Sequence, residues 1–278
     1  MKKLLVMLAC VLVACASAWA GEVTSTNAPP EKVVASAVKC VPLQLSVWNP
    51  VQLAPDDRDV CGLRLNLLYG MNKHLSGLDV GGVNILSDSF SGVEVGIVNV
   101  AAMSHSYGVQ MAALGNMADC ISGIQAGILN IASRSEGVQL AAGCNWADDM
   151  SGIQASFVNI ASHFEGVQVG LFVNQADSSM SGIQVSLAGN MASRSEGIQM
   201  SGRNWADTIN GVQFGVVNQV KDTAHGVQIG FLNVAHEVHG VQVGAINLAD
   251  KLTGVQVGIV NCSKNSAVPF LPIINANF

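Results

Sequence analysis

The sequence predicts an all-β fold of tandem units, and three observations predict it. A short motif recurs fourteen times from residue 62 onward, at steps of 14 to 16 residues. Within each copy apolar residues stand two apart, the period of a strand, and Val and Ile favour the pleated backbone. The chain is half apolar, 12% charged and 5% aromatic, with 29 glycines among 278 residues. That composition suits many small, similar pieces and excludes an open, solvated coil. A net charge of −6 with no cluster of Lys or Arg also excludes a nucleic-acid binder, which needs a cationic face.

Taken in order, residues 1–20 read as a secretory signal. Lys2 and Lys3 form the basic start, Leu4 to Val13 the apolar stretch, and Ala18 and Ala20 put small residues before a cleavage point at Gly21. Leu12, Val13, Ala14 and Cys15 also resemble a lipobox, and processing there would leave a lipidated Cys15 as a membrane anchor. No later segment reaches 18 unbroken apolar residues, so no transmembrane helix is expected. Loss of two lysines with the signal takes the formal charge from −6 to −8.

Residues 21–61 are Pro-rich, lack the repeat and read as a leader and N-terminal cap. Cys40 and Cys61 fall here and can pair in an oxidising compartment. Cys120, Cys144 and Cys262 have neither disulfide-framework nor metal-site spacing and read as small apolar filler.

Residues 62–262 are the repeat domain, with unit form G-[VIL]-Q-φ-[GAS]-x-φ-N, where φ is apolar. Gln stands two places after the leading Gly in eleven units: Gln110, Gln125, Gln139, Gln154, Gln168, Gln184, Gln199, Gln213, Gln228, Gln242 and Gln256. Asn follows seven or eight places after the Gly in thirteen units, among them Asn130, Asn159, Asn233, Asn247 and Asn261. A side-chain amide both donates and accepts, so parallel stacking of units at fixed register turns each column into a ladder. The small residue at the fifth place, such as Gly230, Ser186 or Ala141, predicts a bend or a close backbone approach. Alternate turns differ, which also allows a true unit of about thirty residues. The first unit departs from the form, with Arg64 in place of Gln and Asn66 in place of the small residue. Residues 263–278 read as a C-terminal cap or terminal strand.

Two architectures accommodate the pattern. In a β-solenoid each unit is a coil, with Val and Ile expected to stack as the core. In an up-and-down outer-membrane barrel each unit is an antiparallel strand, and Leu43–Trp48 and Pro269–Phe278 bring the count to about sixteen. Four Trp and two Tyr are too few for two aromatic girdles, and antiparallel neighbours give Gln and Asn no reason to recur at one register. These points favour the solenoid, with the barrel as the alternative.

The tandem units, with the closing Pro269–Phe278 segment, resemble the surface-repeat proteins of the leptospiral type found in several groups of Gram-negative bacteria. The resemblance implies an exported envelope or surface protein with no assigned activity, and it transfers no catalytic residue.

The chemistry-bearing residues are sparse. The glycines follow the repeat and form no phosphate-binding loop. His225, His236 and His239 lie in adjoining turns and are weak metal candidates near Asp222 or Glu237. Arg134 and Arg194, in matching Ser-Arg-Ser-Glu turns, suggest a charged stripe for a partner, against the plainer reading of a duplicated turn. Trp146 and Trp205 suggest either a sugar platform or core packing, of which packing is favoured. The expectation is a non-enzymatic, exported protein of the bacterial cell surface or outer membrane, with a structural or adhesive role and no cofactor. Its partner would be an unknown surface ligand or envelope component, never nucleic acid. A barrel pore is the alternative, and a barrel or the lipidated Cys15 would supply membrane association.

Overall fold

A computed structural model describes residues 40–278, which are almost wholly strand. The expected signal, Cys15 and most of the leader lie outside the described residues. The elements are β1 (Val41–Trp48), β2 (Val51–Gln52), β3 (Val60–Ser186), β4 (Gly189–Ser263) and β5 (Phe270–Asn277). β3 and β4 are continuous ribbons of 127 and 75 residues, because nearly every residue of each coil pairs with the coil beside it. The fold is a β-solenoid.

Register identifies the unit. The two long ribbons pair in parallel with Gly182 opposite Gly197, Ile183 opposite Ile198 and Gln184 opposite Gln199. One repeat of about fifteen residues is therefore one coil, and equivalent residues of successive repeats lie directly over one another. This parallel register rules out the antiparallel barrel that was the alternative.

The leading glycine of all fourteen units has φ between +126° and +150°. A Cβ on any of them would lie less than 3 Å from the carbonyl oxygen of the residue one coil before, which for all but the first is the previous leading glycine. Both the dihedral and the close approach therefore demand glycine. At the fifth place the constraint is different. A Cβ on Gly244 would meet the Nδ2 of Asn233 at 2.7 Å and the Oδ1 of Asn247 at 3.2 Å, so the expected close approach is to the Asn column as well as to backbone.

The core corrects one expectation. Strand residues alternate in and out, and Gln and Asn take the inward places. The apolar residues beside them therefore point outward: Ile229, Phe231, Val243, Val257 and Ile259 are all exposed. The apolar interior comes instead from the segment assigned to turns. It holds a column of alanines (Ala147, Ala161, Ala176, Ala192, Ala206, Ala235) beside a bulkier column containing Ile121, Met150, Phe164, Met180, Ile209, Val238 and Leu252. Ser135 and Ser195 of the two Ser-Arg-Ser-Glu segments occupy the bulky column, fully inside. They divide the apolar core into three clusters, one ending at Ala132, one running from Ala147 to Ala192 and one starting at Ile209.

Each end of the stack is covered. β1 lies parallel on the first coil, with Gln44 opposite Arg64, and Cys40 and Cys61 form a disulfide whose Cα atoms are 5.7 Å apart. β5 runs antiparallel along the last coil, with Gln256 opposite Asn275. Pro272 within β5 lacks an N–H, which blunts the outer edge against further strand addition.

The glycine column gives a direct test. Gly166→Ala imposes a left-handed dihedral on a residue with a Cβ and drives that Cβ into the Gly152 carbonyl. We expect a loss of more than about 3 kcal/mol in urea unfolding, against a small effect for Ala113→Gly on the outer surface.

Candidate functional site

The interior is lined by two amide columns whose polarities oppose. In the Gln column each Nε2 donates to the preceding coil: Gln125 to the Oε1 of Gln110 at 2.9 Å, Gln139 to Gln125 at 2.8 Å, and so on through Gln154, Gln168, Gln184, Gln199, Gln213, Gln228 and Gln242 to Gln256. In the Asn column each Nδ2 donates to the following coil: Asn130 to the Oδ1 of Asn145, Asn159 to Asn174, Asn233 to Asn247 and Asn247 to Asn261. The second Asn hydrogen goes to a main-chain carbonyl of the next coil, such as that of Leu140 from Asn130 at 2.8 Å. That bond fixes which end of the amide faces forward, because a carbonyl only accepts.

A run of one-way donors must end on an acceptor. The Gln column ends on Glu94, whose Oε2 accepts from the Nε2 of Gln110 at 2.7 Å. Glu94 and Asp79 occupy the Gln position of their own coils, as Arg64 does in the first. From the other side Arg64 donates to Asp79 and to the Oδ1 of Asn72, and Asn66 donates to the Oδ1 of Asp79 at 3.0 Å. Donors thus converge from both directions on two adjacent carboxyl groups, all fully buried. Beyond them Gln44 closes the column: it donates to the carbonyl of Ala54 and accepts from the Ala54 N–H.

Among the described residues no donor bridges the two acids, and the Oε1 of Glu94 has no hydrogen-bond partner. Burial pushes the Glu94 carboxyl up to about 8; the bond from Gln110 opposes the shift, and the Asp79 charge adds to it. Burial likewise raises Asp79 against the pull of the Arg64 guanidinium. Two stacked acids with converging donors are best served by one held proton. In the sequence Arg64 stands out as a departure from the unit form, whereas nothing in residue type marks Asp79 and Glu94. Their signal was position, two places after Gly77 and Gly92.

The other singled-out residues are on the outside. His225 and His239 stack face to face, with ring centroids 4.7 Å apart, while His236 pairs with Asp250 at 2.9 Å and His239 with Glu237 at 3.2 Å. Stacking thus brings two of the three together, but among the described residues no group of three metal ligands forms. Asp250 also meets the Nζ of Lys264 at 2.6 Å, and Lys264 and His236 together hold its carboxyl below the usual range. Arg134 and Arg194 belong to units four coils apart and are on the exposed side of their turns. Trp146 and Trp205 are half-buried beside the Asn column and do not fill the core, contrary to the packing expectation. Cys120, Cys144 and Cys262 are unpaired and half-buried, and burial raises the Cys144 thiol to about 11.

The chain matches no family model, and neither a curated protein nor a solved structure matches it.

The acid junction makes stability depend on pH with a defined sign. Glu94 binds its proton more tightly folded than unfolded, so its contribution is fully present below about 4.5 and is lost as pH rises to about 8. Glu94→Gln restores the repeat residue and supplies a donor toward Asp79. We expect the variant to flatten the fall in stability across that window, with a gain of a few kcal/mol at pH 8, measured by urea unfolding at pH 5, 6.5 and 8.

Proposed function

We propose that this is a non-enzymatic, exported surface-repeat protein of the bacterial cell envelope, with a structural or adhesive role. The observation that carries the reading is that the repeat spends its polar chemistry on its own architecture. The Gln and Asn side chains that would otherwise serve as binding or catalytic groups are hydrogen-bonded to one another inside the stack. What the molecule offers a partner is its outer surface, repeated coil by coil.

Two further features support it. The turn side is held by pairs between successive coils, His163 to Asp149, Lys221 to Asp207, His236 to Asp250 and Lys264 to Asp250. Such exposed pairs add little stability but keep a regular polar surface in place. The signal-like start and the resemblance to leptospiral-type surface-repeat proteins agree with export to the cell surface or outer membrane.

Expression of the full chain in a Gram-negative host, followed by fractionation and N-terminal sequencing, tests the reading. The expected product begins at Gly21, lies in the envelope fraction and is labelled on intact cells by an impermeant amine reagent. A product beginning at a lipid-modified Cys15 keeps the envelope assignment and replaces the processing route. An unprocessed chain in the cytosol overturns the proposal.

A further inference from the structure

Because the amides face inward, the outward strand positions form three parallel columns. They lie one, three and five places after each leading glycine. In all fourteen coils every one of these positions is aliphatic, aromatic, Met, Ala or Gly, with no charged or hydrogen-bonding side chain. The column five places on alternates large and small residues along much of its length: Leu67, Gly82, Ile97, Ala113, Ile128, Ala142, Phe157. Its larger members stand well clear of their neighbours, with Leu187 72%, Phe231 62% and Ile259 74% exposed. The exposed charged pairs such as His163–Asp149, Lys221–Asp207 and Lys264–Asp250 lie on the turn side of each coil, and Arg203 alone among charged residues stands at the next position along from the apolar columns.

The size of this face decides what it does. Coils about 4.8 Å apart and strand residues about 3.3 Å apart make it roughly 65 Å by 15 Å, or about 1,000 Å². A soluble monomer seldom exposes a contiguous apolar patch beyond a few hundred Å². Two such faces brought together bury about 2,000 Å², at the upper end of what a stable protein–protein interface needs. The surface is a corrugated, uncharged sheet, the kind that packs on another sheet at about 10 Å with side chains interdigitated. A lipid surface fits less well. Interfacial proteins flank their apolar face with Lys and Arg, and this chain is acidic, with no such rim.

We propose that the apolar face is a homodimer interface, in which two copies pack sheet on sheet about a twofold axis. A self-complementary patch is what twofold pairing requires. The inference is independent of where the chain resides, since it rests on the coil's inside-out alternation alone.

Sedimentation equilibrium of the purified full chain at micromolar concentration tests it, alongside the double variant Val216→Lys, Phe231→Lys and the turn-side control Asp149→Lys. The native chain and the control are expected at twice the chain mass, and the double variant at the single-chain mass with unchanged β-sheet circular dichroism. Carbene footprinting of the native chain gives a second measurement that needs no variant: the turns are expected to label and the apolar columns to be spared. A native chain that stays monomeric, a dimer that survives both lysines in the folded variant, or apolar columns that label like the turns would each overturn the proposal. A monomer that floats with phosphatidylcholine vesicles would overturn it in favour of a lipid occupant.

Discussion

An amide buried away from water must find a partner, and each Gln and Asn side chain of the columns finds one along the stack, in the matching amide of a neighbouring coil. Gln168 donates to Gln154 in the coil before and accepts from Gln184 in the coil after. Each such bond contributes about 1 kcal/mol, whereas an orphaned buried amide costs about 1 to 3 kcal/mol. The asymmetry makes register all-or-none: a coil that slips by one residue strands amides on both sides and turns every side chain to the opposite face. The leading glycine lets the backbone turn the corner in the required conformation, and the small fifth residue leaves room for the Asn side chain above it. Variation of unit length between 14 and 16 residues is tolerated because it falls outside the Gly-to-Gln segment that sets the pairing.

Amide polarity then organises the ends. Gln donors point toward the N-terminus and Asn donors toward the C-terminus, so the two columns carry opposed dipoles that offset one another within one interior. A directed column cannot simply stop in an apolar environment. The N-terminal coils resolve it with carboxyl groups that accept from both sides, an arginine that supplies opposing donors, and Gln44 hydrogen-bonded to the backbone of the cap. At the other end Asn275 of β5 donates to the Oε1 of Gln256 at 3.4 Å, and the Asn261 amide meets the carbonyl of Leu271. The first units differ in sequence because they terminate a ladder, which ordinary repeats only continue.

The repeat, the coil-sized unit and the amide columns were legible in the sequence, because a fixed spacing of Gln and Asn has few physical explanations. The assignment of inside and outside was not. Alternation alone says that Val241 and Val243 share a face opposite Gln242, and the usual preference for apolar burial points to the valines as core. The stack reverses this, since a column of identical amides is self-satisfying once buried, and Ala and one bulky residue per coil fill the remaining space. Ser135 and Ser195 were hidden for a similar reason: in a polar turn nothing marks a serine as the member of a core column. Asp79 and Glu94 look like ordinary surface acids until the register is counted from Gly77 and Gly92.

The Gln and Asn side chains are hydrogen-bonded to each other inside the stack, away from solvent. Hydrogen exchange of the side-chain amides, followed in a nitrogen-labelled sample by NMR, tests it most directly. The two buried amide columns predict a large set of Gln and Asn side-chain amide protons that persist long after transfer to deuterated water, with exchange slowed as strongly as for the strand backbone. Side-chain amides that exchange at the rate of free glutamine, while the backbone stays protected, would contradict it.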